Sequence, residues 1–107
     1  MHKVLLAVRI ISRDGIIGYA SHELELTFQP FVGLRFENGS SRIWRDVEGL
    51  DPAPEVERVI YDIQQEQLVC LFTVNAPLSS PFWQVNVAKE DAPIALTRHF
   101  QMHPVRR

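Results

Sequence analysis

The stretch 55-EVERVIYDIQQEQLVCLFTV-74 decides the fold, because it reads in two ways. As a helix, Val56, Val59, Ile60 and Ile63 share a face, and Asp51 with Pro52 supply a start. As a hairpin, Val56–Ile63 pairs with Leu68–Val74 around the polar tetrapeptide QQEQ. The β-rich run LVCLFTV ends a helix poorly, and no glycine separates it from what precedes. We read the stretch as a hairpin, with a helix followed by a strand as the alternative.

Working outward, residues 3–11 read as a strand covered on both faces. Val4, Leu6, Val8 and Ile10 fall on one side, Leu5, Ala7 and Ile11 on the other, and Arg9 is the exception. SRDG, 12–15, is a turn in which Gly15 supplies a positive φ, and Gly18 marks a second bend. In HELELTFQP, 22–30, Leu24, Leu26 and Phe28 alternate with Glu23, Glu25 and Thr27 until Pro30 stops the run. Leu34 and Phe36 repeat the alternation, and Asn38-Gly39 is a hairpin signal. The returning strand would place Ile43, Arg45 and Val47 on one face and Trp44 on the other.

Beyond the central stretch, FWQVNVA, 82–88, reads as a strand carrying Trp83, Val85 and Val87 on one face. EDAP opens a helix with Asp91 as N-cap and Pro93 in the first turn, running to about Met102; a strand is the rival. The expected fold class is therefore α+β, mostly β. It is a curled antiparallel sheet or small barrel of six to seven short strands with one C-terminal helix. A chain of 107 residues fits a single domain over 1–107. No repeat, low-complexity tract or long linker divides it.

Composition limits the classes of function. Apolar residues at 46% and charged residues at 22% exclude a disordered chain. A net charge of −2 disfavours sequence-independent nucleic-acid binding, which needs a basic surface. One cysteine leaves no internal disulfide, so a reducing compartment fits. The apolar run after Met1 is interrupted at Arg9 without a cleavage signal, and no apolar stretch is long enough to span a bilayer. The expectation is a cytoplasmic protein with no membrane contact. Acids crowd the middle (Asp46, Glu48, Asp51, Glu55, Glu57, Asp62, Glu66), whereas Arg98, Arg106 and Arg107 make the end basic. A basic tail of this kind would brace the acidic loop at 46–57.

The chemistry-bearing residues are weighed against plainer roles. His99 and His103 are neighbours on a helix but about 13 Å apart on a strand, and HExxH chemistry lacks its glutamate because Phe100 stands there. Two exposed histidines is the plainer reading, so no metal and no cofactor are expected. Cys70, between Val69 and Leu71, reads as a core residue rather than a nucleophile. No nucleophile elbow, phosphate loop, dinucleotide fingerprint or Ca²⁺ loop occurs. Glu23 and Glu25 lie on a wet strand face where a general acid would not gain a raised pKa. Asp62, set among apolar residues in VIYDI, is the carboxylate with a prospect of burial. No catalytic residue is assigned.

Nine arginines stand against two lysines, and arginine's planar fork suits fixed interfaces. Arg35, Arg42 and Arg45 surround Trp44, an interface anchor or a base-stacking platform; core packing of Trp44 is the plainer reading. Trp83 is the second interface candidate. The leading expectation is a non-catalytic interaction protein, of accessory or inhibitor type, meeting a protein partner or a second copy (a homodimer) through a sheet face or edge. The alternative is a binding domain or enzyme for a small apolar ligand, with a pocket inside the curled sheet. Phe28, Phe36, Trp44, Tyr61, Phe72 and Trp83 would line it, and Arg9 or Asp62 would orient the ligand. A single-stranded nucleic-acid binder is the second alternative.

Overall fold

The computed structural model describes residues 1–37, 41–44, 53–75 and 77–101. Five strands form one mixed sheet: β1 (His2–Ser12), β2 (Gly15–Leu26), β3 (Arg58–Asp62), β4 (Gln67–Val74) and β5 (Val85–Ala88). Their order is β3-β4-β1-β2-β5. The two most continuous apolar runs, 4–11 and 68–74, lie side by side as β1 and β4 and pair parallel, from Val4↔Leu68 to Ile10↔Val74. Strands buried on both faces belong at the centre of a sheet, and both apolar runs satisfy that demand there.

The deciding stretch is a hairpin. Arg58–Asp62 pairs antiparallel with Gln67–Leu71, a register set by the turn between them. Asp62 Oδ1 accepts the backbone N–H groups of Gln64 (3.0 Å) and Gln65 (3.2 Å), and Glu66 takes a left-handed conformation at φ 53°. The turn at Arg13-Asp14 also forms, with Gly15 at φ 123°.

Several expectations need correction. Among the described residues there are five strands rather than six or seven, the sheet is open rather than a barrel, and one of its pairings is parallel. HELELTFQP is not a separate strand: its first residues continue β2, which runs unbroken from Gly15. Gly18, read as a second bend, lies inside that strand beside an irregularity. The register slips between Ile10 and Ile11, so that Ile11 faces Ile16 while Ile10 faces Gly18, leaving Ile17 as a bulge. Phe28 lies past the strand and is 46% exposed.

The segment around Leu34 and Phe36 makes only an isolated bridge, Arg35↔Glu55. Ser41–Ile43 is a 3₁₀ turn. That turn sends the consecutive residues Ile43 and Trp44 into the same core, whereas a strand would point them to opposite faces. The Asn38-Gly39 turn and Arg45 lie outside the described residues. The C-terminal helix is shorter than expected. After a 3₁₀ turn at Lys89–Asp91, α1 (Ile94–Thr97) starts from Pro93 in extended conformation, and Arg98–Phe100 tightens into 3₁₀ geometry.

Each face of the sheet has its own core. On one, Val4, Leu6, Val8, Cys70 and Phe72 pack under the loops that carry Trp44 and Trp83. The Trp44 ring lies 4.9 Å from Phe72 and 5.1 Å from Trp83 by centroid. On the other face, Ala7, Tyr19, Val69 and Leu71 pack under Leu96 and Phe100. Trp83 and Val85, expected on one face, belong to opposite cores, because Trp83 precedes β5 and turns into the first.

Candidate functional site

Alternation along β1 puts Arg9 on the helix-covered face with Leu5 and Ala7, and there it is 5% exposed. Its register partners are Thr73 on β4 and Tyr19 on β2. Arg9 Nε donates to Thr73 Oγ1 at 2.9 Å, and Nη2 lies 3.6 Å from a Glu57 carboxylate oxygen. The guanidinium stands 5.3 Å from the centroid of the Phe100 ring, a cation–π geometry. A buried charge needs this set of partners to hold its place.

The β1–β2 hairpin extends past its neighbours: pairing with β4 stops at Ile10 and pairing with β5 stops at Gly18. Between the projecting tip and the end of the C-terminal helix lies an open cleft of about 820 Å³. Arg9, Tyr19 and Phe100 contribute to its lining, and Tyr19 and Phe100 have ring centroids 5.6 Å apart. Burial pushes the Tyr19 hydroxyl pKa up, with Arg9 opposing, so the phenol is protonated at neutral pH. Arg13, Asp14 and Lys89 add exposed charged groups to the wall. Its volume falls within the range of small-molecule sites.

A second polar cluster joins the helix to the β3–β4 turn. The Asp62 carboxylate accepts from Arg98 Nη2 at 2.6 Å and lies 3.8 Å from His99 Nε2. Burial raises the Asp62 pKa, but the Gln65 N–H, Arg98, His99 and the Gln64 N–H outweigh it and hold the carboxyl below its ordinary range. Burial and Arg98 lower the His99 pKa against the pull of Asp62. The expectation of two exposed histidines is corrected for His99, whose side chain is only 9% exposed; His103 lies outside the described residues. Arg98 braces β3 at Asp62; of the acidic loop at 46–57, residues 46–52 lie outside the described residues, and Glu55 and Glu57 pair with Arg35 and Arg9.

The other candidates are dispersed. Trp44 donates Nε1–H to the Phe36 carbonyl and Trp83 to the Ile43 carbonyl, both at 2.6 Å, and both side chains are buried. Arg35 pairs with Glu55 at 2.6 Å and donates to the Ala53 carbonyl. Arg42 is exposed and engaged in an interaction of its own. Tyr61 is 57% exposed, on the side of β3 away from Asp62. Of the pocket candidates, only Arg9 reaches the cleft, and the cleft lies beside the helix rather than within a curled sheet. Cys70 is fully buried, with its thiol pKa pushed up to about 12 by burial. Among the described residues no three His, Cys, Asp or Glu side chains are grouped to hold a metal. No helix among them is long and apolar enough to cross a membrane.

Tyr19 and Phe100 were not legible as site residues. The turn at Arg13-Asp14, extended without irregularity, would set Gly18 opposite Arg9; the bulge at Ile17 moves Tyr19 there instead. The described residues thus form an α+β fold with an open five-stranded mixed sheet and a cleft at one end of its helix-covered face. Comparison with protein-family models, with curated proteins and with solved structures finds no match to this chain.

Proposed function

We propose that the protein is a non-catalytic binding domain whose ligand site is the cleft between the β1–β2 hairpin tip and the C-terminal helix. The observation that carries this reading is Arg9: a buried arginine, fixed by Thr73, Glu57 and Phe100, set in the lining of an 820 Å³ opening. Small-ligand sites combine an apolar wall with a few fixed polar groups, and Arg9 with Tyr19 and Phe100 meets that description. The test is a ligand-observed NMR screen of small molecules on the wild type and on Thr97→Trp, which fills the opening from the helix side. Hits lost in the variant support the reading. Hits that persist unchanged in the folded variant overturn it.

A second reading, a protein-interaction surface, is favoured by the turn at 31–34. The Leu34 N–H donates to the Phe31 carbonyl, Gly33 sits at φ 94°, and the Gly33 N–H is anchored on the Val56 carbonyl. This fixed turn holds Phe31 at 56% and Val32 at 64% exposure, near Phe28 in sequence. An ordered apolar patch of this kind suits self-association into a homodimer. Sedimentation over a wide concentration range tests it: dimerisation abolished by Val32→Asp supports this reading, and a monomer throughout refutes the homodimer.

A further inference from the structure

Resting on the cleft reading above, we infer that the cleft selects a small organic anion: an acidic head group held at Arg13 and Lys89, with an apolar body lying on Phe100 and Tyr19. The charge inventory sets the sign. Among the described residues, the cleft is lined by the cations Arg9, Arg13 and Lys89 and by one acid, Asp14. Arg9 is offset by Glu57. Setting one of the two remaining cations against Asp14 leaves a single positive charge. Glu90 and Asp91, which follow Lys89 in the chain, are not part of the lining.

The arrangement separates two jobs. Arg9 is 5% exposed and already bound on several sides, so it shapes the floor and supports the Phe100 ring. Arg13 stands at the hairpin tip and Lys89 directly follows β5; both are exposed and free to meet an incoming anion without desolvating a buried pair. In the same lining, Ile16, Ala92 and the two aromatic rings supply apolar atoms. Carboxylates and phosphate monoesters share the chemistry this wall recognises, and Arg13 can donate to either in a forked geometry.

The test uses the full chain and three probes with one body: 4-phenylbutyrate, 4-phenylbutyl phosphate and 4-phenylbutanol, titrated while backbone amide shifts are followed. Wild type should bind at least one anion about fivefold or more tighter than the alcohol, as one or two partly exposed charge contacts allow. The tighter anion identifies the head group. The double variant Arg13→Gln/Lys89→Gln changes only exposed side chains, so it should fold, and it should lose that margin while still binding the alcohol. An alcohol that binds wild type as tightly as both anions overturns the anion preference but leaves the cleft reading standing. No shift at residues 11–16, 89–92 or 97–101 with any probe overturns both.

Discussion

Replacing Gly18 by alanine should destabilise the protein, although nothing in its backbone conformation forbids a side chain. A Cβ at Gly18 would lie 2.8 Å from the Val87 carbonyl oxygen, with Ala88 Cα and Ile10 Cδ1 each at 3.8 Å. The first contact is too close, and its partner is backbone, so either β5 or β2 must shift. β5 is held to β2 by only four register pairs, Gly18↔Ala88 to Ser21↔Val85, which makes it the strand that moves. Overpacking of this kind costs roughly 1–3 kcal/mol. Removing a glycine also restricts the unfolded chain, which returns roughly 0.4–1 kcal/mol. The net expectation is about 1–2 kcal/mol of destabilisation, a fall of roughly 5–10 °C in Tm for a domain near this size. Urea unfolding of Gly18→Ala against wild type should show a lower midpoint with an unchanged slope, and amides of Val85–Ala88 should exchange faster than in wild type. A midpoint equal to or above wild type, with β5 exchange unaltered, would refute the proposed tight approach of β5 to Gly18.

Three other outcomes follow from the same geometry. Phe72→Ala removes a fully buried ring that Trp44 and Phe36 pack against, and should cost about 3–5 kcal/mol in chemical denaturation. Cys70, fully buried with its thiol pKa pushed up to about 12, should resist a thiol reagent at pH 8 and react only on unfolding; prompt labelling of the native protein would contradict its placement. Acid should destabilise in two stages. The folded-state pKa of His99 lies below its ordinary 6.5, so stability falls as pH drops through that value; the depressed Asp62 pKa adds a second loss as pH falls below 3.8. His99→Gln should remove the first stage and leave a reduced second one, still supported by Arg98 and the Gln64 and Gln65 N–H groups, measured as Tm against pH.

How far the sequence carried depends on which constraint each residue obeys. β1 and the hairpin at 58–74 were legible because an apolar run covered on both faces, and two such runs around QQEQ, admit few alternatives. The parallel pairing of β1 with β4 was not, since strand order is decided by how two hairpins dock and not by either hairpin's own pattern. Leu34, Phe36 and Trp44 misled in a particular way. Their apolar character did report burial, but loops and a 3₁₀ turn bury them without a ladder. Arginines around Trp44 suggested an exposed anchor, whereas the indole lies in the core with its N–H on the Phe36 carbonyl. Arg9 was visible as a charge within an apolar strand. Its companions were hidden by one bulge and by a helix that joins Phe100 to Tyr19 from the far end of the chain.

The claim that the cleft is the place of binding is tested most directly by mapping. With the tightest small-molecule hit at saturation, amide shift changes should concentrate at residues 11–16, 89–92 and 97–101, around the opening lined by Arg9 and Phe100. Changes concentrated instead at residues 28–34, around the exposed turn of Phe31 and Val32, would contradict the account and move the site to the opposite end of β2.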